Sequence, residues 1–266
     1  MASCWRSCGN CNCRFSIFDF RFYAASKVKS KIGNRKSKMR SVWLVNLDLV
    51  PYADALALQH RIVEARQRGA LNDVLLLLEH PPVFTLGRNA RDANILASRA
   101  ALQQIGIDVF RVERGGDVTY HGPGQLIGYP ILDLRDFRLD VGWFVRSMEE
   151  TLICALDDFG IRGARVEKLI GVWVGDAKIA QIGARIEQGI TYHGFALNVD
   201  PNLAHFDLIV PCGIRDKSVT SIARALNAPI EMRAVRARVA ARFAEVFDVE
   251  LIEITREALE QKLAQG

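Results

Sequence analysis

The 266-residue chain is half apolar, enough to bury a large core, and its apolar runs, such as Val74 to Leu78, fall far short of the ~20 residues that a bilayer-spanning helix needs. Its net charge of +5 is uneven: residues 1–40 hold ten Lys and Arg and one acid, Asp19, which leaves 25 basic and 29 acidic residues in 41–266. We therefore expect no membrane insertion and no nucleic-acid partner.

Residues 1–40 are interpreted as a basic, cysteine-containing extension, disordered or non-native, in front of one domain at 41–266. A transit peptide is the alternative for residues 1–38, because the segment is basic and nearly free of acids. Met39, just before the first strand-like run, is an alternative start. Localisation is expected to be cytoplasmic, or mitochondrial or plastid if 1–38 is a transit peptide.

The cysteines indicate a reducing compartment. Cys154 and Cys212 are too few to form a secreted-type disulfide framework. The extension holds the other four, and three of them, spaced C-x3-C-x2-C, resemble the cluster-binding loop of radical enzymes that use S-adenosylmethionine. Such a loop needs a preceding barrel strand, and only three residues precede the first of these cysteines, so we predict no metal site. The four are Cys4, Cys8, Cys11 and Cys13.

Short apolar runs alternate with helical patterns along 41–266. This predicts an α/β (α+β) fold with a mixed sheet in a single domain. Two long extended runs, 177–187 and 190–199, are divided by Gln188-Gly189 and predict a β-meander. The other predicted strands are 42–47, 73–79, 83–86, 109–112 and 129–134, and the predicted helices are 52–68, 97–105, 141–159, 218–226, 231–247 and 256–264.

The stretch from Arg114 to Gln125, RGGDVTYHGPGQ, combines four glycines with Arg, Thr, Tyr and His. Glycines let the backbone approach a ligand closely while the side chains supply hydrogen-bond donors. The stretch has neither the glycine order of a dinucleotide fingerprint nor the G-K-[ST] of a P-loop. It predicts a ligand-binding loop, with a tight hairpin that binds nothing as the alternative.

Three further residues have both a structural and a catalytic interpretation. Alternation along the strand places Lys178 on the same face as Ala180 and Ile182, either as an edge-strand gatekeeper or as a buried amine able to act as a base. His193 is either a hydrogen-bonded core histidine or part of a site. Cys212, between Pro211 and Gly213, is either a small buried hydrophobe or a nucleophile presented by a turn.

Taken together, four motifs resemble those of the octanoyltransferase family of lipoate biosynthesis, the lipoyl(octanoyl) transferases, in the same order along the chain. They are the 114–125 stretch, GDAKIA at 175–180, HGFALNV at 193–199 and PCG at 211–213. The resemblance covers roughly 42–250 and implies the fold of the biotin and lipoate ligase catalytic domain. Asp117 is a mild departure, since other polar residues are common at that position.

The resemblance also implies an activity, with no cofactor. An octanoyl group would move from octanoyl-acyl carrier protein to a lysine of a lipoyl domain through a thioester on Cys212, the first step of endogenous protein lipoylation. The acceptors would be the lipoyl domains of 2-oxoacid dehydrogenase complexes and the glycine cleavage protein. Lys178 would be the catalytic partner of Cys212. The implied substrate-binding residues are Arg114, Gly115, Gly116, Asp117, Val118, Thr119, Tyr120, His121, Gln181, Ile182, Gly183, His193, Gly194, Phe195 and Ala196.

Two other function classes remain as alternatives. An ATP-dependent ligase of the lipoate or biotin type would need an adenylate-binding loop and would not need Cys212. A non-catalytic module that binds lipoyl domains or carrier proteins would have Lys178 or Cys212 replaced by another residue. The presence of both residues favours the transferase.

Overall fold

The computed structural model describes residues 39–210 and 218–266. Residues 1–38 of the predicted 1–40 extension, with its four cysteines, and the predicted turn at Pro211-Cys212-Gly213 lie outside the described residues, whereas Arg40 begins the first strand. The strands are β1 (Arg40–Leu49), β2 (Asp73–Glu79), β3 (Val83–Leu86), β4 (Asp108–Arg111), β5 (Val118–His121), β6 (Gln125–Ile131), β7 (Ala164–Val166), β8 (Leu169–Val174), β9 (Ala177–Glu187), β10 (Ile190–Asn198), β11 (Ser218–Val219) and β12 (Val249–Glu253). The helices are α1 (Tyr52–Gln67), α2 (Arg99–Gln104), α3 (Val141–Asp157), α4 (Ile222–Leu226), α5 (Met232–Phe247) and α6 (Arg256–Gln265).

Two sheets organise the described part of the chain. The larger has the strand order β12-β1-β2-β6-β10-β9-β8-β7, with β11 paired to β9, and the smaller has the order β4-β3-β5. Strand β1 is parallel to both of its neighbours, whereas β2, β6, β10, β9, β8 and β7 are antiparallel in succession. The predicted mixed sheet and the β9–β10 meander are confirmed.

Helices cover both faces of the larger sheet. Leu75 and Leu77 of β2 pack in one apolar cluster with α3 and α5, and the alternate residues Val74, Leu76 and Leu78 pack in a second cluster with α1 and α6. A strand buried on both faces is uniformly apolar, which explains the sequence of β2. Among the described residues, no helix has the length and apolar character needed to cross a bilayer.

The smaller sheet forms its own apolar cluster. Phe84 of β3 and Tyr120 of β5 pack with Phe206, which lies in a short 3-10 helix at Leu203–Leu208. This cluster holds β5 and the glycine-rich stretch that contains it beside the larger sheet.

Some predicted elements differ from the structure because long-range pairing overrides local pattern. The glycine-rich stretch contains a strand, β5, and β6 begins at Gln125 rather than 129. Ser218 begins a strand paired to β9 rather than a helix; the helix starts at Ile222, where the Ser221 side chain accepts from the Arg224 N–H at 3.2 Å. Strand β12, missed in the sequence, pairs with β1.

An ion pair ties α3 to α5. Asp158 ends α3, and its carboxylate accepts from Arg242 Nε at 2.9 Å and also from a terminal nitrogen of the same guanidinium. Both side chains are mostly buried, and the hydrogen bonds from Arg242 hold the pKa of Asp158 below its usual value. The stabilisation is therefore complete above the unfolded aspartate pKa of about 3.9 and is lost as pH falls through the lower folded pKa.

Replacing Arg242 by Met should lower the free energy of unfolding by about 2 kcal/mol at neutral pH, because the Asp158 carboxylate loses its charged donors. The difference from the unmodified protein should shrink as pH falls through the pKa of folded Asp158. Urea unfolding at several pH values measures this, with Arg233→Met, an exposed arginine on the same helix, as the control. A difference independent of pH would contradict the assignment.

Candidate functional site

A pocket lies where the glycine-rich stretch meets β9 and β10. It brings together most of the substrate-binding residues predicted from the sequence, along with Tyr52 and Tyr129, which the sequence did not single out. Gly115 and Tyr120 are the two predicted residues that do not line it. The lining residues are Tyr52, Arg114, Gly116, Asp117, Val118, Thr119, His121, Tyr129, Gln181, Ile182, Gly183, His193, Gly194, Phe195 and Ala196.

Strand alternation explains why Tyr120 is excluded. Its neighbours Thr119 and His121 line the pocket, so Tyr120 points to the opposite face of β5. There it packs against Phe206, and its hydroxyl lies 2.8 Å from His205 Nδ1. Tyr120 therefore belongs to the core of the smaller sheet.

Glycines allow the pocket walls to approach one another. Gly183 of β9 and Gly194 of β10 are directly paired. A Cβ on Gly183 would lie 2.9 Å from the Gly115 carbonyl oxygen, and a Cβ on Gly194 would collide with the Gly128 carbonyl. The Gly115 N–H donates to the Ala184 carbonyl at 3.1 Å. Backbone contact, which side chains would block, thus joins the glycine-rich stretch to the sheet.

Arg114 contributes to the architecture of the stretch. Its guanidinium donates to the Thr85 carbonyl at 2.5 Å, to the Thr85 hydroxyl at 2.8 and 3.1 Å and to the Gly115 carbonyl at 2.9 Å, and the side chain is buried. These bonds hold β3 against the stretch. Thr85 is a residue that sequence reasoning missed, since it lies in an ordinary apolar strand.

The buried histidines around the pocket are neutral at physiological pH. Burial lowers the pKa of His80 to about 4 and that of His121 well below its usual value, and it also lowers the pKa of His193. His80 accepts from the Tyr129 hydroxyl at 2.7 Å, and His121 donates to Gln125 at 2.7 Å. The pocket can therefore hold an uncharged group without facing imidazolium charges.

His193 adopts an unusual backbone conformation. Its φ of 54° is in the left-handed region, and its N–H donates to the Gln59 side chain at 2.8 Å. Its Nε2 lies 3.6 Å from Glu113 Oε1, too far for a hydrogen bond, while His60 Nε2 lies 2.9 Å from the same oxygen. The neighbouring His193 and His60 hold the pKa of Glu113 below its usual range.

Lys178 does not lie on the face of β9 that alternation predicted. It pairs with Trp173, whereas Ala180 pairs with Val172, so the register shifts by one residue between them. Trp173 and Val172 are consecutive and point to opposite faces, and directly paired residues share a face. Lys178 is therefore opposite in direction to Ala180, and it shares the face of Trp173; it does not itself line the pocket. Such a bulge commonly redirects a side chain next to a functional site.

The Lys178 side chain is 5% exposed. Its Nζ lies 5.3 Å from the centre of the Trp173 ring, and its Cε passes close to Gly171 of β8. The lysine is thus neither an exposed gatekeeper nor part of the apolar cluster under α3. It is a buried amine that lies beside Trp173 and Gly171 of β8.

A chain of buried hydrogen bonds connects the pocket to the Lys178 backbone. Gln125 Nε2 donates to Asn198 Oδ1 at 2.8 Å, and Asn198 Nδ2 donates to the Thr220 carbonyl at 2.9 Å. The Thr220 N–H in turn donates to the Lys178 carbonyl at 2.9 Å. Gln125 and Asn198 lie inside recognised motifs, but only their contacts assign them this connecting role.

Several polar atoms in the pocket wall have no hydrogen-bond partner. They belong to four buried lining residues: the Tyr52 hydroxyl, the Thr119 hydroxyl, both amide atoms of Gln181 and Nε2 of His193. Buried polar atoms are normally paired with protein or water. These atoms are available to water or to polar atoms of a ligand. Within residues 39–210 and 218–266, no three His, Cys, Asp or Glu side chains converge as a metal site.

Sequence comparison identifies related proteins. Residues 51–244 match the family model of the lipoyl protein ligase A/B catalytic domain. The chain is 49% identical over 211 residues to an octanoyltransferase of Alkaliphilus metalliredigens, covering 79% of this chain and 97% of that protein. It is 50% identical over 214 residues to an octanoyltransferase of Solibacter usitatus, covering 80% of this chain and 96% of that protein.

Solved structures with the same fold are more distant in sequence. A bipartite lipoate protein ligase from Thermoplasma acidophilum superposes with a TM-score of 0.66 at 21% identity, covering 86% of this chain and 91% of that one. A lipoate-protein ligase A bound with ATP gives a TM-score of 0.66 at 18% identity, covering 86% and 93%. These likenesses confirm the predicted fold class. The match along 51–244 and the near-complete overlap with octanoyltransferases show that the chain belongs to the lipoyl protein ligase A/B catalytic-domain family, as an acyltransferase of its octanoyltransferase branch.

Proposed function

We propose that the chain transfers an octanoyl group from octanoyl-acyl carrier protein to a lysine of a lipoyl domain through a thioester on Cys212. The observation that carries the proposal is the placement of Lys178: a buried amine on β9, the strand that also contributes Gln181, Ile182 and Gly183 to the pocket, in a chain of the octanoyltransferase branch. Cys212 lies outside the described residues, so its assignment depends on the sequence motif.

The proposed reaction has two steps. The Cys212 thiol gives its proton to the Lys178 amine, and the thiolate attacks the carrier thioester, so that the octanoyl group moves to sulfur and the carrier leaves as a thiol. A lysine amine of the lipoyl domain then attacks the enzyme thioester. The products are an amide, which is more stable than a thioester, and the Cys212 thiol, so ATP is not required.

The pocket suits an uncharged acyl chain. Its histidines are neutral, and its walls include Val118, Phe195 and Ala196 next to closely packed glycine backbone. Backbone N–H groups of the glycine-rich stretch and the carboxamide of Gln181 are the candidate donors to the thioester oxygen as it gains negative charge. Asp117 does not share this role, because a carboxylate has no proton to donate; it accepts from the Asn94 side chain at 2.6 Å and from the Val118 N–H at 2.7 Å.

The acceptors proposed are lipoyl domains of 2-oxoacid dehydrogenase complexes and the glycine cleavage protein. An ATP-dependent ligase is the second candidate, because a solved ligase with the same fold binds ATP. The two functions differ in their donor: a transferase uses octanoyl-acyl carrier protein without ATP, and a ligase uses a free acid with ATP.

Mixing the protein with octanoyl-acyl carrier protein, without ATP, should add the mass of one octanoyl group to the peptide that contains Cys212. Cys212→Ala should lose both this adduct and transfer to a lipoyl domain, because the nucleophile is removed. Peptide mass spectrometry measures the first and the rate of amide formation the second. Cys154→Ser, a change at a buried cysteine of α3, is the control and should keep the adduct. Wild-type transfer by Cys212→Ala would refute the covalent mechanism.

Lys178→Ala should slow transfer by about 10²–10⁴-fold, the usual contribution of a positioned base. Lys178→Arg should be nearly as slow, because arginine keeps the charge but does not release its proton near neutral pH. The rate of iodoacetamide labelling of Cys212 against pH reports the effect on the thiol. Lys168→Ala, at a lysine exposed in the turn before β8, is the control. An unchanged labelling profile in both Lys178 variants would show that Lys178 does not activate the cysteine.

A further inference from the structure

The space that the Lys178 side chain occupies depends on Gly171. A Cβ built on Gly171 would lie 2.6 Å from Lys178 Cε and 3.3 Å from Nζ, and 2.5 Å from the Ala180 carbonyl oxygen. Real Cβ atoms do not approach other atoms so closely, so any other residue at position 171 would displace the lysine or the strand. The contact follows from the register shift, since Gly171 and Trp173 are two residues apart on β8 and share the face onto which Lys178 is turned.

The Gly171 backbone is itself held in place. Its φ of 124° is rarely adopted by residues with a side chain, and its N–H donates to Glu149 Oε1 of α3 at 3.0 Å. Glu149 is buried, and its other oxygen lies 3.0 Å from Arg165 Nε. Helix α3 therefore anchors the point of β8 over which the lysine passes.

We propose that Gly171 is a positioning residue for Lys178, acting with the bulge in β9. The bulge turns the lysine onto the face of Trp173, whose ring centre lies 5.3 Å from Nζ, and the missing side chain at Gly171 leaves the space that the end of the lysine side chain occupies. This inference rests on the proposed role of Lys178 as the base. Gly171 touches no reacting atom and acts only through the lysine.

A double-mutant cycle tests whether Gly171 acts through Lys178. Gly171→Ala should lower kcat/KM for octanoyl transfer by about 100-fold, the cost of displacing a catalytic group by roughly 1 Å. In the Lys178→Ala background the same change should cost nothing more, because no amine is left to displace. A multiplicative loss in the double variant would mean general damage to the hairpin and would overturn the inference.

Gly175→Ala is the matched control. Gly175 lies in the same hairpin with a φ of 57°, so alanine there is also strained, but an added Cβ would meet nothing within 4 Å. This variant should lose some thermal stability from backbone strain, though less than Gly171→Ala, while keeping a near wild-type kcat/KM. Equal losses of activity in the two variants would show that backbone strain, and not contact with Lys178, explains the effect.

A second pair of variants adds no atom beside Lys178, and it tests the inference if Gly171→Ala does not fold. Glu149→Gln keeps an oxygen that can accept from the Gly171 N–H, and Glu149→Met does not. Transfer by Glu149→Met should be about ten-fold slower than by Glu149→Gln. Equal rates would overturn the inference.

Lys178→Ala measured alone separates this inference from the proposed function. If Lys178→Ala transfers at the wild-type rate, the proposed role of the lysine fails. If Lys178→Ala is slow while Gly171→Ala is normal, only the role of Gly171 fails.

Discussion

The hydrogen bond between the side chains of Gln125 and Asn198 joins the parts of the candidate site that are far apart in the chain. Both residues are fully buried and lie 2.8 Å apart across the paired strands β6 and β10. Asn198 continues the connection to Thr220, and Thr220 to the backbone of Lys178. A buried amide that loses its partner costs about 1–3 kcal/mol, so any shift of one strand relative to the others is opposed at this point.

The pocket exists because backbone, rather than side chains, forms much of its wall. The paired glycines Gly183 and Gly194 let the glycine-rich stretch and β6 approach β9 and β10 at distances that any Cβ would prevent. The titratable side chains nearby present little free charge to the pocket. The guanidinium of Arg114 donates to Thr85 and Gly115, and burial keeps the histidines neutral by lowering their pKa. A space whose histidines are neutral and whose arginine is already hydrogen-bonded to the protein suits an uncharged acyl chain.

Much of this arrangement follows from the sequence. The short apolar run from Val74 to Leu78, bounded by Asp73 and Glu79, predicted a strand covered on both faces, and the two extended runs divided by Gln188-Gly189 predicted a hairpin, because local turn chemistry and the two-residue period of a strand favour these structures. The four motifs likewise indicated the family, and the match along 51–244 confirms it. The roles of Cys212 and Lys178 stay predictions.

The tertiary structure alone decided where these residues point. The alternation of side chains along β9 predicted Lys178 on the apolar face. One extra residue in β9 places Lys178 on the opposite face, because successive side chains of a strand point to opposite faces and a shift of one residue exchanges them. Strand β11 forms where a helix was predicted, and the local sequence did not reveal it because its partner residues in β9 lie 41 positions earlier in the chain. The sequence does not single out Gly171, because what matters there is the absence of a side chain. An added Cβ would meet Lys178 on the neighbouring strand.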